Sequence, residues 1–95
     1  MPSLRVNGVT LNYEWRGQEH GEPVILNNGI FMNTRSWAYQ LAALGRRYRV
    51  LCYDMRGQGA SEHPEGEYSM DLHADDLAAL MDALGVPDAH MVGTS

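Results

Sequence analysis

Apolar and polar residues alternate near the start of the chain. The apolar members of this alternation are Val9, Leu11, Tyr13 and Trp15, and the polar members are Thr10, Asn12 and Glu14. Such a pattern is typical of an antiparallel edge strand with one buried face and one face in water. Asn7-Gly8 precedes it and follows a short apolar stretch, Leu4–Val6. Because both turn residues tolerate a positive φ, the pattern predicts a β-hairpin.

Further along, the apolar residues become continuous instead of alternating. Three such runs occur, at residues 23–27, 48–53 and 89–92. The first is followed by Asn28 and Gly29, the second by Asp54, and the third by Gly93-Thr94-Ser95. Short continuous runs predict strands that are buried on both faces, as in a parallel sheet.

Helical spacing separates these runs. Trp37, Leu41 and Leu44 share one face of a helix predicted from about Thr34 to Leu44, with Asn33 or Thr34 as its cap. Gly45 is placed to end that helix.

A second helix is predicted from about Ser69 to Leu84. Ser69 is its expected cap, and Gly85 followed by Pro87 ends it. Its apolar stripe consists of Leu77, Leu80, Met81 and Leu84, and Asp75, Asp76 and Asp82 are expected to be solvated.

The element order is therefore hairpin, strand, helix, strand, helix, strand. Strands that alternate with helices predict an α/β fold with a mostly parallel sheet, an N-terminal β-hairpin and crossover helices. Residues 1–95 show no internal repeat, low-complexity tract or linker, so one domain is expected. Functional sites of such sheets form where the carboxyl ends of strands meet loops.

Composition narrows the classes of function. The formal net charge of −5 disfavours nucleic acid and anionic membranes as partners. The single cysteine, Cys52, lies in an apolar run and indicates a buried thiol in a reducing, cytoplasmic compartment. The N-terminus lacks the apolar run of a signal peptide, and no stretch reaches the ~18 apolar residues of a membrane span. Histidine and cysteine show no metal-ligand spacing, so no metal is implied. No cofactor is expected.

The chemistry is expected where the last strand runs into Gly93-Thr94-Ser95. A strand ending in Gly-x-Ser is the first half of a nucleophile elbow, in which a sharp turn exposes the serine hydroxyl and leaves no room for a side chain at the glycine. A strand end followed by an ordinary loop is the alternative interpretation. Gly29 would let the backbone turn so that the N–H of Ile30 points at the site and stabilises an oxyanion.

At this point the chain resembles the N-terminal third of an α/β-hydrolase-fold protein. The resemblance is to the branch of esterases, 3-oxoadipate enol-lactonases and cofactor-free haloperoxidases, and it extends over essentially all 95 residues. It depends on Val24–Gly29, on the Trp37 helix and above all on residues 53–61. That stretch matches the family's D-x-R-G-x-G-x-S at all five fixed positions, which are Asp54, Arg56, Gly57, Gly59 and Ser61.

The resemblance implies a role for each matching residue. Ser95 matches the nucleophile, Ile30 the backbone oxyanion donor, and Gly29 the glycine of the family's His-Gly pair. Asn28 stands where the family usually has histidine, and it is expected to support the loop by hydrogen bonds. Asp54 and Arg56 match a structural loop beside the site, tied by charge-assisted bonds. A phosphate-binding loop is disfavoured because the third glycine and the lysine of such motifs are missing here.

The implied function is a serine hydrolase that acts on a small ester, lactone or related acyl substrate through an acyl-serine intermediate. Asn28-Gly29 also keeps acyl transfer open, and a cofactor-free peroxidase and a non-catalytic hydrolase-like scaffold are further alternatives. The family's catalytic acid and histidine follow the serine in chain order, so both are expected beyond residue 95.

None of the histidines occupies the family's base position, and each is expected to be structural or solvated: His20, His63, His73 and His90, the last with a packed side chain.

The 95 residues alone are expected to be inactive and not to fold stably, because an uncovered parallel sheet exposes apolar surface and an open edge. The remainder of the hydrolase domain is therefore an expected partner, as a separate or missing segment.

Overall fold

A computed structural model describes residues 2–28, 34–66 and 68–93. These residues form a five-stranded sheet in the order β1-β2-β4-β3-β5. The strands are β1 (Ser3–Val6), β2 (Val9–Gly17), β3 (Pro23–Asn27), β4 (Arg49–Tyr53) and β5 (His90–Gly93), and the helices are α1 (Ala38–Leu44) and α2 (Met70–Leu84). The predicted α/β fold with a mostly parallel sheet is confirmed.

The N-terminal hairpin forms at the predicted turn. Asn7 and Gly8 have φ angles of 48° and 77°, and Val6 pairs with Val9 across the turn. The prediction that β2 is an edge strand was wrong, because β2 pairs with β1 on one side and with β4 on the other. Asn12, expected in water, is only 5% exposed, since the loop after β4 covers it.

The central strands β3 and β4 are parallel and carry the buried apolar residues that their continuous runs predicted. β5 pairs in parallel with the other side of β3, but all four of its residues are exposed. The expectation of a packed His90 was wrong. Its imidazole lies on the surface, 2.9 Å from the carboxylate of Glu22 and edge-on to Tyr48.

A 3₁₀ turn, Thr34–Trp37, precedes α1, so the α-helix begins four residues later than predicted. Its N-cap is Trp37, without a side-chain capping bond, so the proposal of Thr34 as the cap was wrong. The other proposed cap, Asn33, lies outside the described residues. Trp37 is buried on the α1 face of the sheet with Val24, Leu26, Val50 and Cys52. Leu41 and Leu44 pack against this cluster, which confirms the predicted apolar face.

The helix α2 has the predicted ends. The Ser69 hydroxyl accepts a hydrogen bond from the Leu72 N–H at 3.1 Å, and Gly85 closes the helix in the left-handed conformation at φ 73°. Leu80 is fully buried on the opposite face of the sheet from α1. The stripe of α2 packs there on the hairpin and the central strands, in a core formed by Val6, Val9, Leu11, Ile25, Leu51, Tyr53 and Leu80.

Candidate active site

The carboxyl ends of β3 and β5 lie side by side at one edge of the sheet. The two strands are parallel, and Asn27 is the register partner of Gly93. The segments predicted to carry the oxyanion donor and the nucleophile therefore leave adjacent strands at the same edge. Gly29, Ile30 and Ser95 themselves lie outside the described residues, so their roles stay predictions.

Asn28 is turned into the interior just before the predicted oxyanion segment. It is 4% exposed, and its Nδ2 donates to the Tyr53 carbonyl at 3.1 Å and to Asp54 Oδ1 at 3.2 Å. Its Oδ1 accepts a bond of 2.6 Å from Trp37 Nε1. Both ends of the amide are thus bonded to buried groups, and the backbone that leads into Gly29 is fixed at this point.

Asp54 is the most buried member of the loop that follows β4, at 1% exposure. Its carboxylate accepts bonds from Asn12 Nδ2 at 3.0 Å, from the Ala60 N–H at 3.0 Å and from Asn28. Gly59 lies against the same carboxylate at φ 49°, and a Cβ there would come within 2.5 Å of Asp54 Cγ. The second glycine of the motif is therefore required both by its backbone conformation and by close approach.

Ser61, the last fixed position of the motif, connects β2 to the end of β4. Its hydroxyl accepts a bond from the Asn12 N–H at 2.8 Å and donates to the Asp54 carbonyl. The Asp54 N–H donates to the Asn12 carbonyl at 2.9 Å. The serine is 3% exposed, so these bonds satisfy backbone groups that would otherwise be buried without partners.

Arg56 extends from the loop to α2. Its guanidinium makes two bonds of 2.9 Å to the Asp76 carboxylate and donates to the Asn7 carbonyl at 3.1 Å. The hydrogen bond to Asp76 raises the pKa of Arg56. The expectation that Asp76 is solvated was wrong, because Arg56 and Asn7 Nδ2 hold this carboxylate at 2% exposure. The predicted charge-assisted bonds of the loop therefore go to the hairpin and to α2.

The glycine-punctuated loop uses its own amides. Within it, the N–H groups of Gly57, Gln58, Ala60 and Ser61 donate to Glu62, Met55, Asp54 and Gln58 respectively. A phosphate cradle needs several amides directed at a ligand. These internal bonds add a structural reason to disfavour the phosphate-binding interpretation.

Asn27 is a residue of this edge that the sequence analysis did not single out. Its Oδ1 accepts the Tyr53 hydroxyl at 2.8 Å, and its Nδ2 donates to the Val92 carbonyl at 3.2 Å and lies 3.9 Å from Met91 Sδ. Burial raises the pKa of Tyr53, which keeps the hydroxyl a donor. The only signal in the sequence was a polar residue closing an apolar run.

Glycine was expected at position 93 because of crowding at a tight bend. Among the described residues, a Cβ at Gly93 would meet only Asn27 Cβ, at an ordinary 3.8 Å. The described neighbours therefore do not require glycine there, and the predicted bend stays a prediction.

A protein-family model for the alpha/beta hydrolase fold matches residues 22–95. The chain belongs to the α/β-hydrolase fold family. It is 39% identical over 93 residues to 3-oxoadipate enol-lactonase 2 of Acinetobacter baylyi, covering 98% of this chain and 35% of that protein. It is 36% identical over 90 residues to a non-heme chloroperoxidase of Streptomyces lividans, covering 94% and 33%.

A solved structure agrees with these sequence matches. The crystal structure of the enol-lactonase from Burkholderia xenovorans matches with a TM-score of 0.95 and 38% identity, covering 99% of this chain and 37% of that one. The chain thus spans about a third of the length of the relatives that it matches. The resemblance predicted from the D-x-R-G-x-G-x-S motif is confirmed.

The described histidines of this α/β-hydrolase chain have structural or surface contacts. His63 Nε2 lies 3.2 Å from the Gly59 carbonyl, His73 meets Tyr68 edge-on, and His90 pairs with Glu22 at the amino end of the sheet. His20 lies exposed in the loop before β3.

Residues 2–28, 34–66 and 68–93 contain no cluster of three or more potential metal ligands. Over the same ranges, no helix combines the length and hydropathy needed to cross a bilayer. The Cys52 thiol is buried, and burial raises its pKa to about 12, so the thiolate form is disfavoured.

Proposed function

We propose that residues 1–95 are the N-terminal part of a single hydrolase domain that cleaves an ester, lactone or related acyl substrate through an acyl-serine intermediate. Ser95 is the nucleophile, and the N–H of Ile30 is one oxyanion donor. The catalytic acid and histidine come from residues beyond 95, as the chain order of this family implies. The partners of the chain are then that remaining segment and a small acyl substrate.

The proposed reaction has two steps. Ser95 Oγ attacks the acyl carbon while the histidine takes its proton, and the oxyanion accepts hydrogen bonds from Ile30 and from the residue after the serine. The bond to the leaving oxygen breaks as the histidine returns the proton to it. Water, deprotonated by the same histidine, then attacks the acyl carbon and releases the acid and the free serine.

The observation that carries this proposal is the register of β3 and β5. Asn27 and Gly93 are paired neighbours, so the Asn28-Gly29-Ile30 and Gly93-Thr94-Ser95 segments start next to each other. An acyl carbon must meet a nucleophile and an amide donor at the same time, and adjacent parallel strand ends can supply both. The two enol-lactonase relatives support a hydrolytic reaction on an acyl group.

In this scheme, Asn28 supports the oxyanion segment from the interior of the protein. Its amide bonds to Trp37, Asp54 and the Tyr53 carbonyl hold the start of the oxyanion segment without contacting substrate. The lone thiol of Cys52, free and buried, fits the reducing cytoplasm that we propose as the compartment.

A fluorophosphonate probe tests the nucleophile in the full-length protein. We expect one covalent adduct, mapped by peptide mass spectrometry to Ser95, and its loss in Ser95→Ala. Ser3→Ala, which changes an exposed serine of β1, should label like the wild type. If the wild type does not react while the protein is folded, the acyl-serine proposal is wrong and a non-catalytic scaffold is favoured.

The chloroperoxidase relative favours a second candidate, a peroxide-dependent reaction on the same fold. Acyl transfer to an alcohol or thiol is a third candidate. Product analysis separates the three: hydrolysis gives the free acid, transfer gives a new ester or thioester when an acceptor is added, and peroxidase activity needs peroxide. We expect free acid as the main product with the substrate alone, with an added alcohol or thiol, and with added peroxide.

A further inference from the structure

A hydrogen-bonded bridge crosses the sheet from β4 to β5 through the side chain of Asn27. The Tyr53 hydroxyl donates to Asn27 Oδ1 at 2.8 Å, and Asn27 Nδ2 donates to the Val92 carbonyl at 3.2 Å. Tyr53 is 2% exposed and belongs to the core on the α2 face, so the bridge starts from a fixed residue. It ends one residue before Gly93.

The bridge matters because little else among the described residues holds the carboxyl end of β5. All four residues of β5 are exposed, and Met91 and Val92 are 50% and 37% exposed. The strand is held to the sheet by its ladder with β3 and, at its amino end, by the surface pair of His90 with Glu22. At the carboxyl end of β5, the described side-chain hydrogen bond comes from the Asn27 amide to the Val92 carbonyl.

Asn27 and Asn28 are anchored in different ways. Asn28 bonds to Trp37 of the α1-face core and to the loop after β4, whereas Asn27 bonds to Tyr53 of the α2-face core and to β5. Asn28 therefore fixes the chain that leads to Ile30, and Asn27 connects that chain to the strand that leads to Ser95.

We propose that Asn27 is a positioning residue for the acyl reaction, which sets the end of β5 relative to the end of β3. The inference rests on the proposed function, because its consequence is the distance between Ser95 and the oxyanion donor. Misplacement by about 1 Å is enough to cost about a hundredfold in rate. Asn27 itself contacts neither the nucleophile nor the substrate in this scheme.

Two substitutions of Asn27 separate the bridge from simple packing. Asn27→Leu removes both hydrogen bonds, and Asn27→Asp keeps the shape and the acceptor for Tyr53 but replaces the donor that faces the Val92 carbonyl. We expect both variants to lower kcat about thirtyfold and to change KM less than about threefold. Tyr53→Phe leaves the bond to Val92 in place and should lower kcat only about threefold.

Glu22→Gln is the matched control. This substitution weakens the pair of Glu22 with His90, which connects β5 to the loop before β3 at the amino ends of the two strands. It should leave kcat unchanged. Circular dichroism checks that every variant is folded. If Asn27→Asp keeps the wild-type kcat, or if Glu22→Gln lowers kcat as much as Asn27→Leu, Asn27 is not a positioning residue.

Amide hydrogen exchange distinguishes failure of this inference from failure of the proposed function. Exchange of residues 91–93 should be faster in Asn27→Leu than in Glu22→Gln. If the wild type neither reacts with the fluorophosphonate nor turns over an ester, the proposed function fails, and faster exchange still shows the bridge to hold β5. Unchanged exchange in Asn27→Leu would overturn the inference even in an active enzyme.

Discussion

The loop after β4 and the carboxyl end of β5 both lie where the parallel strands end, but they are held in different ways. Residues 54–61 bond to the hairpin, to β2, to Asn28 and to α2, and Asp54 and Ser61 are almost fully buried. β5 exposes all of its residues and is linked to the rest mainly through β3.

The difference shows which residue types the described contacts explain, at the D-x-R-G-x-G-x-S motif and at Gly93. Four of the five fixed positions of D-x-R-G-x-G-x-S have a described contact that depends on the residue type, and these are Asp54, Arg56, Gly59 and Ser61. Gly93 has no comparable contact among the described residues. The loop is thus held by bonds to several described elements, whereas the described contacts at the end of β5 are its ladder with β3 and the Asn27 amide.

The strongest test of this contrast is removal of the central carboxylate. Asp54→Ala removes the acceptor of Asn12 Nδ2 and of the Ala60 N–H, and it leaves Asn28 Nδ2 only the Tyr53 carbonyl. A buried donor that loses its partner costs about 1–3 kcal/mol. We expect a loss of about 4 kcal/mol in the free energy of unfolding of the full-length protein, measured by urea denaturation. Asp88→Ala, in the exposed segment before β5, should change it by less than about 0.5 kcal/mol. Equal effects would show that the loop is not the better-supported region.

The contact between the loop and α2 gives the next largest effect. Asp76→Asn keeps the shape of the side chain but leaves Arg56 without its counter-charge, and breaking a buried pair in this way costs about 3 kcal/mol. The neighbouring Asp75 is exposed, so Asp75→Asn should stay within about 0.5 kcal/mol. Thermal and urea unfolding of both variants measure the difference, and a small effect at Asp76 would contradict the structural role of the pair.

A comparison of Gly59 with Gly85 separates the cost of steric overlap with a neighbour from the cost of a positive φ angle. Gly59 and Gly85 both have positive φ, but a Cβ would come within 3 Å of a neighbour only at Gly59, where it would meet the Asp54 carboxyl. Gly85→Ala should cost about 1 kcal/mol from conformation alone, and Gly59→Ala about 2 kcal/mol more from overlap. If the two losses in unfolding free energy are equal, Asp54 moves away at no cost and the loop is less rigid than described.

Near neutral pH, the smallest effect on stability concerns the thiol of β4. Burial raises the Cys52 pKa from 9.0 to about 12, so the folded state favours the neutral thiol. Stability should be unaffected below pH 9 and should fall as pH rises from 9 towards 12, because the unfolded chain then loses the proton more readily.

Thiol labelling at pH 8 sharpens the same contrast. Cys52 should react with Ellman's reagent far more slowly in the native protein than in urea. A cysteine placed on β5 by Met91→Cys should react readily, since Met91 is 50% exposed. Protection at that position would show that residues outside the described part cover β5, and rapid reaction of Cys52 would contradict its burial.

Local signals were enough to predict most elements. Asn7-Gly8, Ser69 and Gly85 each mark a turn or a helix end through their own conformational preference, and the structure has those boundaries. The start of α1 was less well predicted, because Trp37 is the one apolar residue of Thr34–Trp37, and a single position does not distinguish a 3₁₀ turn from the first turn of an α-helix.

Partners distant in sequence could not be predicted in the same way. Asp76 has the helical position of a solvated residue, and only the approach of Arg56 and Asn7 buries it. Asn12 lies on the polar side of an alternating strand, yet the loop after β4 covers it. The bridging role of Asn27 depends on Tyr53 and Val92, which are 26 and 65 residues away. For the same reason the motif indicated a family more reliably than it indicated contacts.

The bond from Arg56 to the Asn7 carbonyl has a practical consequence for how the N-terminus is treated. Shortening the chain to begin at β3 would remove that carbonyl, the Asn7 amide on Asp76 and the Asn12 groups that hold Asp54 and Ser61. A truncated or swapped N-terminal hairpin should therefore disturb residues 54–61, so chimeras with related hydrolases should exchange the hairpin and this loop together.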